Sequence, residues 1–149
     1  PSSLNGRVFF EDNAGYFAQQ LSALYMDGAD ILGGCCGTTP DFIKELKEFQ
    51  PHFLVVNIAT PTFISDMDWV RKAKEALPGL CTIVKGAPFL TYNANAIYEN
   101  TFLDYVIIGE AEFTLRDILN GVPNNEILGI CYRENFQAEK TEKRPLSKT

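Results

Sequence analysis

A chain of 149 residues has the length of a single domain and is long enough to bury one apolar core. Apolar residues make up 46% of it and charged residues 21%, which is ordinary for a globular protein and favours neither a disordered nor a membrane-embedded class. The net charge of −6 would repel nucleic-acid phosphates, so we expect no nucleic-acid partner. The longest apolar runs, such as Phe53–Ile58, have the length of a strand, so we expect no membrane partner. No partner protein is evident from the sequence, and we expect a monomer.

The first part of the chain alternates strand-like and helix-like patterns. Arg7–Phe10 predicts a first strand, and Asp12 or Asn13 can cap the helix that follows. Apolar residues recur along that helix at helical spacing, at Phe17, Leu21, Leu24 and Tyr25. Gly28 ends the helix, Ala29–Leu32 predicts a second strand, and Thr39-Pro40 begins a second helix.

The middle of the chain continues this alternation. Pro51 ends the second helix, and Phe53–Ile58 is almost wholly apolar, which predicts a central parallel strand buried on both faces. A third helix is predicted over about Ser65–Leu77, and Cys81–Val84 predicts the fourth strand. A weak helix is predicted near Ala94–Glu99.

The last part of the chain adds one more strand and helix. Tyr105–Ile108 predicts the fifth strand and about Glu112–Leu119 the helix after it, while Leu128–Arg133 predicts an edge strand or a hairpin arm. Residues 137–149 are polar and rich in Lys and Glu, so we expect a flexible tail there. The single domain is therefore expected to span residues 1–136.

This pattern of alternating strands and helices is too short for an eight-fold barrel but fits a doubly wound sheet. Right-handed crossovers favour an α/β, flavodoxin-like three-layer sandwich with a five-stranded parallel sheet in the order 2-1-3-4-5. Ligands of such sheets bind beyond the carboxyl ends of the strands. The residues that directly follow the predicted strands are therefore the candidate site residues.

The most unusual motif is Gly33-Gly34-Cys35-Cys36-Gly37-Thr38-Thr39-Pro40. Two thiolates suit zinc, which requires three or four ligands. The motif resembles the zinc motif of the cobalamin-dependent methionine synthase and homocysteine S-methyltransferase family, and the resemblance covers about residues 7–49. It implies a barrel-derived segment with Cys35 and Cys36 as metal ligands. The family's third cysteine comes from a barrel strand that this chain lacks, so we expect no zinc to be held.

The chain has 4 cysteines in total, and adjacent cysteines rarely bridge each other. No basic segment followed by an apolar segment opens the chain, so secretion is not indicated. We therefore expect free thiols in the reducing environment of the cytoplasm.

The rest of the sequence resembles a second family. The segments LVVNIATPTF, ALPGLCTIVKGAPF, DYVIIGEAEFTLRDIL and GICYREN look like the N-terminal cobalamin-binding domain of radical SAM enzymes, over about residues 51–135. That family has a flavodoxin-like fold and holds the corrin against the strand ends. If a corrinoid binds, the resemblance implies these contact residues: Thr60, Thr62, Gly86, Gly109 and Glu110.

Two features of the sequence argue against an intact corrinoid site. Classical corrinoid domains ligate cobalt with a histidine in a D-x-H-x-x-G motif, whereas the one histidine here, His52, precedes the third strand at its amino end. The GAPF segment also departs from the Gly-Gly-Pro-His pattern of the resembled family, and it places the bulky Phe89 where a smaller contact is expected.

The two resemblances meet between Phe49 and Pro51, which indicates a chimera. We interpret the chain as an engineered fusion of a TIM-barrel fragment with a flavodoxin-like, cobalamin-binding-like domain, with no cofactor and no enzymatic activity. The first alternative is a natural or vestigial corrinoid-binding domain that binds cobalamin. The second alternative is the remnant of a zinc-thiol methyltransferase.

Overall fold

The structure is a computed structural model that describes residues 2–4, 7–9, 31–34, 41–91 and 96–145. Two short strands, β1 (Ser2–Leu4) and β2 (Arg7–Phe9), pair antiparallel with Leu4 opposite Arg7. The Asn5-Gly6 dipeptide between them is a sequence that strongly favours a two-residue hairpin connection. These two strands form a sheet of their own, separate from the main sheet.

Within the described residues, the main sheet has six strands, and their order in space is their order along the chain. They are β3 (Ile31–Gly34), β4 (Phe53–Asn57), β5 (Cys81–Lys85), β6 (Tyr105–Ile107), β7 (Ile130–Glu134) and β8 (Gln137–Lys140). The strands from β3 to β6 run parallel, whereas β7 and β8 are antiparallel to their neighbours. The carboxyl ends of the parallel strands therefore meet at one end of the sheet, which we call the carboxyl end.

Helices connect the parallel strands. They are α1 (Asp41–Phe49), α2 (Phe63–Ala76), α3 (Pro88–Thr91), α4 (Ala96–Glu99) and α5 (Glu112–Leu119), with 3-10 turns at Thr60–Thr62 and Asn124–Glu126. In α2, Met67, Val70 and Ala73 are buried at the spacing that places them on one helix face. Within the described residues, none of the helices is long and apolar enough to cross a membrane.

An apolar cluster lies on each face of the main sheet. In β4, Leu54 belongs to one cluster and its neighbour Val55 packs against the other, because successive side chains of a strand point to opposite faces. The helix α2 contributes Val70 to the first cluster, and α5 contributes Ile118 to the second. Helices therefore pack on both faces, and the α/β, flavodoxin-like class predicted from the sequence is confirmed.

The strand order differs from the predicted 2-1-3-4-5. Ile31–Gly34 pairs directly with Phe53–Asn57, so no strand lies between them, and Arg7–Phe9 pairs with Ser2–Leu4 instead. Two local preferences explain the difference. A strand and the next parallel strand, joined by one helix, are usually neighbours, and the Asn5-Gly6 hairpin supplies the Arg7–Phe9 strand with a nearer partner.

The expectation of a flexible tail from residue 137 is also corrected, since Gln137–Lys140 forms β8 and completes a hairpin with β7. The Tyr132 hydroxyl donates to a Glu139 carboxylate oxygen at 2.6 Å across the hairpin. Beyond β8, the Thr141 N–H donates to the Ile130 carbonyl at 2.9 Å. The segment is polar because β8 is an edge strand, where charged side chains face solvent.

Candidate functional site

Backbone hydrogen bonds fix the ends of β4 and β6 at the carboxyl end of the sheet. The Ile58 N–H, just after β4, donates to the Lys85 carbonyl at 2.7 Å. The Ile108 N–H, just after β6, donates to the Gly129 carbonyl, also at 2.7 Å. Strand pairing therefore extends one residue past β4 and β6, and this fixes the position where each loop leaves the sheet.

Gly86 lies where the loop after β5 touches the loop after β4. Its φ of +132° is one that residues with a side chain rarely adopt, and a Cβ at this position would lie 2.0 Å from the Ile58 carbonyl oxygen. Only glycine fits such a close approach. Gly86 therefore serves the packing of the two loops as well as forming part of the surface.

Gly109 begins the loop after β6 and differs from Gly86 in its surroundings. Its φ is +102°, which again favours glycine, but an added Cβ would meet no atom of a described residue within 4 Å. The space beside Gly109 is therefore open. An open position with no side chain lets a flat ligand approach the backbone closely.

The two threonines after β4 have different roles. The Thr62 hydroxyl donates to a carboxylate oxygen of Asp66 at 2.6 Å, and the Thr62 N–H donates to the Ala59 carbonyl at 3.2 Å. These hydrogen bonds of Thr62 therefore stabilise the beginning of α2. Thr60 is exposed to solvent and is free to contact a ligand with its side chain.

Thr114 fixes the loop that contains Glu110. Its hydroxyl contacts the Glu110 carbonyl at 3.3 Å and the Leu128 carbonyl at 3.2 Å, and it accepts a hydrogen bond from Arg144 Nε at 2.9 Å. Thr114 is fully buried, so these polar contacts replace the water that it loses. The start of α5 is therefore anchored both to the chain before β7 and to the segment after β8.

The structure brings all five contact residues predicted from the sequence to the carboxyl end of the sheet. Each follows β4, β5 or β6 directly or within a few residues: Thr60, Thr62, Gly86, Gly109 and Glu110. Their role as ligand contacts stays a prediction.

Exposed apolar side chains occur in the helices that follow β4, β5 and β6, a feature that the sequence analysis missed. Ile64, Leu90 and Phe113 are 85%, 53% and 45% exposed. Each lies at the start of a helix that follows a parallel strand, namely α2, α3 and α5. Arg116 also lies over the Phe113 ring, 5.1 Å from its centroid. We call these three residues the apolar rim.

Phe89 does not obstruct the surface, contrary to the objection raised from the sequence. Its side chain is fully buried, and its ring packs against that of Phe63, with the centroids 6.0 Å apart. The Phe89 N–H donates to the Gly86 carbonyl at 3.2 Å. The ring therefore belongs to the core beneath the loops and leaves the carboxyl end clear.

His52 and Cys81 lie at the opposite, amino end of the sheet. His52 is exposed just before β4, and its carbonyl accepts the Cys81 N–H at 2.9 Å. Burial, with a smaller contribution from the Asp104 carboxylate, raises the pKa of the Cys81 thiol to about 12. The histidine is thus separated from the candidate surface by the length of the strands, and this thiol is a poor metal ligand or nucleophile.

The predicted metal ligands Cys35 and Cys36 lie outside the described residues. In the part of the chain that the structure does describe, no group of His, Cys, Asp and Glu side chains could hold a metal ion. The expectation that the cysteine pair holds no zinc stays a prediction.

Comparison with known proteins identifies the family of the chain. The sequence profile of the B12 binding domain matches residues 13–119. No curated protein matches the chain. Among solved structures, the chain is similar to the radical S-adenosylmethionine methyltransferase TsrM from Kitasatospora setae, which was solved with cobalamin and a 4Fe-4S cluster bound. The TM-score is 0.54 and the sequences are 15% identical, so this likeness concerns the fold. It covers 74% of this chain and 22% of TsrM.

These findings overturn the interpretation of the chain as an engineered chimera without a cofactor. A single family profile runs continuously from residue 13 to residue 119, across the supposed junction between Phe49 and Pro51. Neither comparison indicates a segment from a TIM barrel. The match to the B12 binding domain also contradicts the expectation that the chain has no cofactor. The chain belongs to the B12-binding domain family.

Proposed function

We propose that this chain is a corrinoid-binding domain and that it holds cobalamin against the carboxyl end of its parallel sheet. The observation that carries the proposal is the apolar rim, whose three side chains are exposed in the helices that follow β4, β5 and β6, where the small residues of the candidate site also lie. A corrin is a broad, flat macrocycle with apolar faces, and it can bury those side chains without inserting between the strands. The family membership and the cobalamin-bound TsrM structure support the same ligand.

The residues of this chain fit such a ligand. The open space beside Gly109 lets the macrocycle approach the backbone, and the exposed Thr60 can donate a hydrogen bond to one of the amide groups around the ring. Ile64, Leu90 and Phe113 would exclude water from its margins. Bound cobalamin would supply a cobalt centre able to carry an alkyl group. No imidazole from this chain would ligate it, since the one histidine lies at the amino end.

We further propose that the domain catalyses no reaction by itself. The sequence offers no complete set of catalytic side chains, and the chain spans only 22% of the TsrM chain. In this proposal, the domain presents the cofactor to a catalytic domain elsewhere in a larger protein. It acts without nucleic acid or membrane, in the reducing cytoplasm.

Titration with hydroxocobalamin tests this function directly. The purified chain should retain the cofactor through desalting and shift its absorbance spectrum, with saturation at one equivalent per chain. Thr60→Trp places a large side chain on the proposed surface and should weaken binding at least tenfold by blocking the macrocycle. The matched control is Thr101→Trp, which makes the same change at an exposed position of the amino end and should leave binding unaltered.

Two outcomes would contradict the proposal. One is a chain that is folded by circular dichroism yet releases all hydroxocobalamin on desalting. The other is a corrinoid that binds equally well to the Thr60→Trp and wild-type chains, because the ligand would then lie elsewhere.

A further inference from the structure

Lys85 and Asn57 are neighbours at the carboxyl end of the sheet, and their side chains form no hydrogen bond or ion pair with another residue that the structure describes. They are opposite each other in the pairing of β4 with β5, and each is the last residue of its strand. Cross-strand partners project from the same face of a sheet. Both side chains therefore lie on one face, next to the proposed corrinoid surface.

The surroundings of Lys85 differ from those of Lys74, the other half-buried lysine of the described residues. The Lys74 ammonium pairs with the Asp104 carboxylate at 2.8 Å and donates to the Leu80 carbonyl at 2.6 Å. The Lys85 ammonium makes neither kind of contact with a described residue, although the chain carries a net charge of −6. A half-buried cation that pairs with no carboxylate among the described residues, in an acidic protein, is available to an anionic ligand.

The base of the Lys85 side chain is held in place. Its carbonyl accepts the Ile58 N–H at 2.7 Å, and the next residue, Gly86, packs directly on Ile58. The start of the side chain is therefore fixed at the end of the sheet, and only its flexible outer part must be ordered on binding. Asn57 is exposed beside it and adds two N–H donors of its amide group.

Cobalamin carries one anionic group that such a pair could bind. The corrin ring is surrounded by neutral amides, whereas the nucleotide loop below it contains a phosphodiester. Lysine binds phosphate as a compact positive charge, and a neighbouring amide can complete the hydrogen bonds to its oxygens. We propose that Lys85, assisted by Asn57, binds the phosphodiester of the cobalamin nucleotide loop, so that this domain selects complete corrinoids over corrinoids without the loop. This inference rests on the proposed function.

Cobinamide, a corrinoid that lacks the nucleotide loop, makes a decisive test. Lys85→Met keeps the length and apolar character of the side chain and removes its charge. It should weaken cobalamin binding roughly tenfold, about 1.4 kcal/mol, and leave cobinamide binding unchanged. Lys85→Arg should keep most of the preference for cobalamin. Lys72→Met is the matched control, because it removes the same charge from an exposed position of α2 and should alter neither affinity.

The outcomes separate this inference from the proposed function. If the wild-type chain binds neither corrinoid, the proposed function fails and the role of Lys85 fails with it. If the wild-type chain binds corrinoids but Lys85→Met weakens both equally or neither, the role of Lys85 alone is overturned. Added salt supports the inference if it reduces the affinity of the wild-type chain for cobalamin more than for cobinamide.

Discussion

Gly86 and Ile58 are in direct backbone contact, so close that a Cβ on Gly86 would lie 2.0 Å from the Ile58 carbonyl oxygen. Gly86→Ala must therefore both move the Ile58 backbone and place a side chain at a φ of +132°. We expect this substitution to lower the free energy of unfolding by about 2–4 kcal/mol. Urea denaturation followed by circular dichroism measures the change.

Two other glycines serve as controls for this prediction. Gly109→Ala meets the strain of a positive φ without any clash and should cost about 1–2 kcal/mol. Gly79→Ala causes neither a clash nor strain from a positive φ, and it should change stability by less than about 0.5 kcal/mol. Equal losses at Gly86 and Gly109 would show that the contact with Ile58 carries no cost.

How far the sequence predicts this fold depends on how local its signals are. The helix Glu112–Leu119 was predicted with the bounds that the structure shows, because its apolar positions and Gly121 mark it locally. The strand Gln137–Lys140 was missed, since an edge strand with one half-buried residue, Ala138, carries no apolar alternation. The strand order was missed because two local preferences, the Asn5-Gly6 hairpin and the single helix between β3 and β4, outweigh the general pattern of the fold class.

The candidate site, like the fold, could be predicted from the sequence only in part. Its small residues at strand ends could be predicted, because the carboxyl ends of parallel strands lie together. The apolar rim could not be predicted, since Ile64 and Phe113 read as ordinary helix residues until the structure shows which side chains stay exposed. Phe89 was taken for an obstruction, and only the three-dimensional packing shows that its ring contacts Phe63 in the core.

The segment after β7 should be essential to stability, although its composition indicates a tail. Removal of residues 137–149 deletes β8, the Tyr132–Glu139 hydrogen bond of 2.6 Å and the ion pair between Arg144 and Asp117 of 2.5 Å. We expect this truncation to cost more than about 2 kcal/mol. Truncation after Pro145 removes none of these contacts, and its thermal unfolding should match that of the full chain. Equal unfolding midpoints for both truncations would indicate that β8 adds nothing.

The ion pair between Arg144 and Asp117 should make stability depend on pH. Burial alone would raise the pKa of the Asp117 carboxyl, but hydrogen bonds from Arg144 and Arg116 outweigh it and lower the pKa. A carboxyl whose pKa is lower in the folded state stabilises the protein above the unfolded-state value of about 3.9, and this stabilisation is lost as pH falls through the folded-state pKa.

Arg144→Met tests this dependence of stability on the ionisation of Asp117. Arg116→Met is the control, because Arg116 is the more exposed of the two arginine partners of Asp117. Near neutral pH, Arg144→Met should lower the free energy of unfolding by about 1–2 kcal/mol, since the pair is only partly buried. The difference from the wild-type chain should shrink as pH falls below about 4. A difference that is constant from neutral to acidic pH would show that Arg144 acts through packing alone.

The Cys81 thiol should resist modification. Its pKa of about 12 leaves it almost wholly protonated near pH 8, and the thiolate is the reactive form. Alkylation with iodoacetamide, followed by peptide mass spectrometry, should label Cys81 at least tenfold more slowly in the native chain than in urea. Cys131 is buried in β7, where burial also raises the thiol pKa, and should behave in the same way. Rapid native labelling of Cys81 would contradict its burial.

The turn between β7 and β8 should become more stable when Phe136 is replaced by glycine. Asn135 and Phe136 have φ values of +48° and +65°, the conformation of a two-residue turn that asparagine tolerates and that favours glycine at the second position. The Phe136 side chain is 95% exposed, so its removal forfeits almost no packing, whereas its backbone strain is relieved. Phe136→Gly should raise the free energy of unfolding by about 0.5–1 kcal/mol. Phe136→Ala removes the ring but keeps a side chain at positive φ, so it should give no such gain in stability. A loss of stability in both variants would show that the ring stabilises the fold.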